Sequence, residues 1–175
     1  MEMSSQAIYQ VVTDQIRILN DIASDIGMNL HHVKPHGALY NAAASDVEIA
    51  LAIASAIADF DSRMILYGLA NSAFVKASNQ TGIKFCAEAF ADRTYTNTGL
   101  LTPRSEAGAM IENDEEAIAQ VLQMLEEGTV QSNLGESISL QPDTICIHGD
   151  GPHAVDFAKK IHDALKAKGI QIKTT

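Results

Sequence analysis

The chain has 175 residues, is 46% hydrophobic and 19% charged, and carries a formal net charge of -10, a size that suits one domain with a substantial core. That charge argues against a general nucleic-acid binder, which needs clustered Lys and Arg, and against attraction to an anionic membrane surface. No run approaches the ~20 apolar residues that span a bilayer, and Met1-Glu2-Met3-Ser4-Ser5 lacks the basic and apolar regions of a signal peptide, so a cytoplasmic protein is expected.

From Ser5 to about Ile26 the apolar positions Ile8, Val11, Val12, Ile16, Leu19, Ile22, Ala23 and Ile26 recur at helical spacing, and Gly27 is a plausible stop. Leu30–Lys34 reads as a short strand. Pro35 can neither continue a helix nor donate to a central ladder, so Lys34 leaves the strand as the chain turns through His36 and Gly37. Ser45 and Glu48 have capping-box spacing and open an Ala/Ile-rich helix to about Phe60. Arg63–Tyr67 is the next strand. Asn71 or Ser72 caps a helix that Gly82 ends, and Ile83–Glu88 is a third strand. A long connection follows from Ala89 to Glu112. Asn113 and Glu116 repeat the capping pattern before a helix closed by Gly128.

Thr129–Ser132 and Ser137–Leu140 flank a turn and predict a hairpin. Thr144–His148 is a continuous apolar strand. Gly149-Asp150-Gly151-Pro152 then leads into a final helix ending near Gly169, with Ile170–Lys173 beginning one more strand. Cys86 and Cys146 lie inside apolar runs, as buried thiols rather than a disulfide or metal site. Strands alternating with helices predict an α/β fold, a parallel sheet with crossover helices, in a single domain over residues 1–175.

In such sheets ligands bind beyond the carboxyl ends of the strands. The first strand leads to Lys34, His36, Tyr40 and Asn41. The second leads to Gly68 and the polar helix start Asn71-Ser72. The third delivers Glu88, then Asp92 and Arg93, and the last delivers His148 and Asp150. Four strand ends carrying such groups favour a ligand pocket over incidental surface turns.

The individual residues leave alternatives open. Glu88 is either an ion-pair partner or a catalytic carboxylate. Asp92 and Arg93 form either a loop salt bridge or part of a binding wall. Arg104 either clamps a carboxylate or phosphate or ties down the long loop. Asp150 is a helix cap or a site residue. His148 stands out because it ends an apolar run, whereas His31, His32, His153 and His162 read as surface or packing residues. No CxxC pair or Walker-type loop occurs, and the metal is unknown.

Val33-Lys34-Pro35-His36-Gly37-Ala38-Leu39-Tyr40-Asn41 and Glu88-Ala89-Phe90-Ala91-Asp92-Arg93-Thr94-Tyr95 resemble two hallmarks of the LamB/YcsF family, now associated with the A subunit of 5-oxoprolinase. Leu101-Thr102-Pro103-Arg104-Ser105, Gly108-Ala109-Met110-Ile111 and Ile147-His148-Gly149-Asp150-Gly151 are similar to further family segments. The resemblance implies an irregular (β/α) barrel of the glycoside hydrolase/deacetylase type. It also implies ATP-dependent opening of 5-oxoproline to L-glutamate, with ADP and phosphate as co-products and 5-oxoprolinase subunits B and C as partners.

Family members usually begin with an Asp-Leu-Asn-x-Asp-like strand, followed by Cys-Gly-x-His and His-Pro strand ends. None occurs here, so the chain is expected to be the C-terminal two-thirds of the barrel. The expected catalytic residues are Lys34, His36, Glu88, His148 and Asp150, and Tyr40, Asn41, Asp92, Arg93 and Arg104 are expected to bind substrate or phosphate. Two rival readings are a metal-dependent hydrolase or deacetylase of the same barrel type and a non-catalytic fragment or assembly subunit.

Overall fold

The structure, a computed structural model, describes residues 3–149 and 153–174. The chain forms two compact units, Met1–Ala87 and Glu88–Thr175.

The first unit opens with α1 (Ser5–Asp25), where the Ser4 side chain accepts a hydrogen bond from the Ala7 amide at 3.2 Å. Ile8, Val12 and Ile16 recur every four residues and form its buried face, and α1 packs on α3 (Val47–Phe60). Ala50, Ala54 and Ala56 are buried in α3 beside Ile53 and Ile57. Side chains this small let α3 lie close to both α1 and α4 (Ala73–Thr81). Strand β1 (His32–Val33) pairs in parallel with β2 (Ile65–Leu69), and β3 (Lys84–Phe90) is next in the strand order. A Cβ on Gly68 of β2 would stand 2.7 Å from the Phe74 ring, so glycine is what allows Phe74 to bury there.

Three local expectations shift in this unit. The first strand is only two residues long, because Lys34 and Pro35 leave the ladder directly after Val33. The second begins at Ile65 rather than Arg63, whose amide and Nε are both held by Asp61 at 2.9 Å in the preceding turn. Between the turn at His36 and Ser45, where no element was expected, lies a helix, α2 (Gly37–Ser45). Ser45 therefore ends α2, and Asp46 caps α3 by accepting from the Glu48 and Ile49 amides at 2.8 and 3.3 Å.

In the second unit Glu88, Ala89 and Phe90 of β3 pair in parallel with Thr144, Ile145 and Cys146 of β6 (Thr144–Cys146). Helix α5 (Asp114–Glu127) is capped by Asn113, whose side chain accepts from the Glu115 and Glu116 amides at 2.8 and 3.1 Å. Its first turn is acidic, which suits the positive end of the helix dipole. The hairpin of β4 (Thr129–Gln131) and β5 (Ser137–Ser139) is antiparallel as expected. Helix α6 (Ala154–Ala167) packs on α5 around Val121, Ile161 and Leu165. The strand expected at Ile170–Lys173 does not form. The Ile170 amide bonds back to the Leu165 carbonyl at 3.0 Å, and its side chain packs on that core.

The parallel strands and the helices that follow them establish the α/β class with crossover connections. Among the described residues no helix is long and apolar enough to cross a membrane.

Candidate functional site

Where β3 ends, the backbone turns sharply and its carbonyls need new partners. Gln120 of α5 supplies them, its Nε2 donating to the carbonyls of Phe90, Ala91 and Arg93 at 3.3, 3.2 and 3.0 Å. The fully buried Tyr95 hydroxyl accepts from the Phe90 amide at 2.7 Å. Burial pushes that phenol well above its ordinary pKa, against the Phe90 hydrogen bond, and the Glu88 charge adds to the rise. The long connection folds back on itself through Thr94 to Ala109, Thr102 to Thr94 and Ile111 to Asp92 backbone bonds.

Arg93 is the pin of that connection. Only 3% exposed, it donates from Nε to the Ala109 carbonyl at 3.2 Å and from Nη2 to the Thr102 carbonyl at 2.6 Å. Burial, and then the neighbouring charge of Arg104, lower its pKa. The loop salt bridge considered for Asp92 and Arg93 gives way to a different pair. Asp92 lies against His148, with Nδ1 at 2.7 Å from Oδ2 and 2.9 Å from Oδ1.

His148 is also held on its other side. Its Nε2 lies 3.2 Å from Arg104 Nη2, and its ring stacks on Phe90 at a centroid distance of 5.7 Å. A guanidinium has no acceptor, so Arg104 must donate and Nε2 must offer its lone pair. The ring proton then sits on Nδ1 and is donated to Asp92. A carboxylate orienting an imidazole whose far nitrogen carries a lone pair is the arrangement of a general base and its positioning partner. The two side chains remain partly accessible, at 27% for His148 and 13% for Asp92.

Glu88, 3% exposed, stands two residues before Phe90 on the same face of β3, as the strand's alternation requires. Asp150 lies outside the described residues. The second unit thus brings Asp92, Arg104 and His148 into direct contact and sets Arg93 to a structural task.

In the first unit Lys34 follows β1, half-buried, with Nζ 5.9 Å from the centroid of the Tyr40 ring. Tyr40 is buried against Phe74 at 5.6 Å, which makes its ring a packing element and a cation–π platform. His36 is exposed at the N-cap of α2 and makes no side-chain capping bond. Gly37 starts that helix at a φ of 59°, a conformation that a β-carbon would strain. Asn41 is exposed on α2. Of the histidines set aside as packing residues, His32 stacks on Tyr67 at 4.4 Å and His162 pairs with Asp163 at 3.1 Å.

Sequence reasoning overlooked Gln120 and Tyr95. The available signal for Gln120 was a polar residue beside the buried stripe Ala117, Val121 and Met124 of α5. Among the described residues no three His, Cys, Asp or Glu side chains come together as a metal-ligand set.

The LamB/YcsF family model matches residues 1–175. A protein of Tolumonas auensis, named as the A subunit of 5-oxoprolinase, is 49% identical over 173 residues, covering 99% of this chain and 69% of that protein. Its namesake in Bacillus subtilis is 48% identical over 172 residues, covering 98% of this chain and 67% of the relative. A crystal structure of a lactam utilization protein from Thermus thermophilus is 36% identical with a TM-score of 0.89, covering 100% of this chain and 70% of that one. That likeness agrees with the expected partial (β/α) barrel.

Proposed function

Because the chain belongs to the LamB/YcsF family, we propose that it works as the A subunit of an ATP-dependent 5-oxoprolinase, opening 5-oxo-L-proline to L-glutamate. The names carried by its relatives support the lactam substrate. The observation that carries the chemistry is the Asp92–His148 pair with a lone pair on the outward nitrogen.

A lactam carbonyl is a poor electrophile, and ATP, giving ADP, supplies the activation by phosphorylating its oxygen. His148 then takes the proton of the attacking water at Nε2, while Asp92 holds the ring and stabilises the imidazolium. The ring nitrogen leaves protonated, and hydrolysis of the resulting acyl phosphate gives glutamate and phosphate. Lys34 and Arg104 offer positive charge to phosphate or carboxylate oxygens. Glu88 and Asp150 are the carboxylates proposed to orient water, and His36 is a second proton carrier. Asn41 is retained as a polar contact to the ligand. Arg93 and Tyr40, engaged with backbone carbonyls and with Phe74, act by position. Subunits B and C of a cytoplasmic complex complete the enzyme.

The test is glutamate release from 5-oxo-L-proline by the chain with subunits B and C, with and without ATP. Replacement of His148 by Ala is expected to slow it by about 10²–10⁴-fold, the usual range for a general acid or base. His36→Ala should nearly abolish it. Undiminished turnover in His148→Ala removes the dyad from the mechanism, and release that ignores ATP removes the phosphorylation step.

A further inference from the structure

We propose that Arg104 is a carboxylate-operated cover over His148, so that the base is exposed only for lactams whose ring bears a carboxylate. This inference rests on the 5-oxoprolinase reading and specifies what its substrate must carry.

The nitrogen that has to accept a proton is the one Arg104 occupies. Nη2 of Arg104 stands 3.2 Å from Nε2 of His148, and a water cannot be deprotonated there while it does. The contact is a weak use of a guanidinium. It is a single bond to an imidazole nitrogen, whereas the planar fork matches a carboxylate with two parallel, charge-assisted bonds of roughly twice the strength.

The surroundings of the two arginines separate them further. Arg93 is fixed by the Ala109 and Thr102 carbonyls and is buried. Arg104 is exposed on the same connection, and its charge adds to burial in lowering the pKa of Arg93. An arriving carboxylate finds Arg93 buried and committed to carbonyls, and Arg104 exposed with a single bond to exchange. Its pairing with Arg104 removes the donor from Nε2 and leaves His148 held by Asp92 and stacked on Phe90, oriented and with its lone pair free.

A ligand shifts such an equilibrium only by binding the two states differently. The same ring amide without a carboxylate has no stronger partner to offer Arg104. It therefore leaves the cover closed however well its ring fits. Arg104 becomes the residue that sets specificity, by uncovering the base.

Long-range proton–nitrogen correlation spectra of the full chain, labelled with ¹⁵N-histidine, read the His148 ring nitrogens directly. The probes are 5-oxo-L-proline and 2-pyrrolidinone, the same lactam without the carboxylate. Spectra of Arg104→Met, a surface substitution whose folding is checked by backbone amide dispersion, define the uncovered state. The expected result is that 5-oxo-L-proline moves the Nε2 resonance to its position in free Arg104→Met. Under the same conditions 2-pyrrolidinone leaves it in place, and neither compound moves it in the variant. Backbone shifts around Asp92 without a change at Nε2 would overturn the cover and leave the lactam reading standing. Equal movement by both probes would overturn the role of the carboxylate. Absence of any shift at saturating 5-oxo-L-proline would remove the lactam reading and the cover with it.

Discussion

In Met1–Ala87 the helices α1, α3 and α4 are joined by alanine and isoleucine, and the recognisable Lys34–Asn41 segment is anchored through the buried Pro35 and Tyr40 while His36 and Asn41 face outward. In Glu88–Thr175 a polar lattice does the anchoring. Gln120 gathers three carbonyls, Arg93 gathers two more, Tyr95 braces β3 from beneath, and Asp92 and Arg104 grip one imidazole from its two sides. Apolar packing is tolerant of what its surface residues do, whereas a hydrogen-bond lattice fixes atoms to tenths of an ångström and fails as a unit. The first unit is thus suited to presenting groups and the second to aligning them.

The largest expected break in that contrast is in the apolar layer. Ile53 is 0% exposed at the centre of α3, and Ile53→Ala should lower stability by about 2–5 kcal/mol through lost transfer energy and the cavity left behind. Urea unfolding gives the loss. Hydrogen exchange should show it first in the amides of α3 and of α1 and α4, the helices packed on it. Equal loss of protection in α5 and α6 would mean that the two units do not differ in this way.

Gln120→Leu tests the other half. The shape of the side chain is nearly kept, but the carbonyls of Ala91 and Arg93 lose the Gln120 donor and that of Phe90 keeps only the long Tyr95 hydroxyl contact at 3.5 Å, at about 1–3 kcal/mol for the part-buried groups left short of a partner. Smaller in stability than Ile53→Ala, it should be larger in activity, because Asp92 lies within the stretch those bonds hold. Glutamate release that falls no further than the folded fraction would show that the lattice does not align the site.

The same division decides what was legible in the sequence. Helices α1 and α5 could be read from periodicity and caps, since Ser4-to-Ala7 and Asn113-to-Glu116 contacts are local. Helix α2 was not, because Gly37 and three consecutive alanines carry no periodic pattern and His36 supplies no capping bond. Residue types at the site were legible from their places after strands. Their pairing was not. Asp92 and His148 are 56 residues apart, and only the parallel register of Phe90 with Cys146 brings them together. Nor did the sequence distinguish Arg93 from Arg104, because burial rather than spacing decides which guanidinium is spent on carbonyls.

The smallest effect belongs to a polar tie of the first unit. Asp61 Oδ1 and Oδ2 receive Arg63 Nε and Nη2 at 2.9 and 2.8 Å. These side-chain bonds, with the Arg63 backbone amide adding to them, hold the Asp61 carboxyl below the ordinary carboxylate range, at about 2. A folded-state value below the unfolded one means that the unfolded chain binds the proton first. The pair's stabilisation is therefore complete above the unfolded value of about 4 and is lost as pH falls through about 2. Asp61→Asn removes that contribution, so the difference in melting temperature between wild type and variant should shrink steadily from pH 4 to pH 2. Because the Arg63 side chain is 89% exposed, added salt should also shrink the difference. A difference that stayed constant across the window, or grew with salt, would place the role of Asp61 in the turn geometry around Arg63 rather than in its charge.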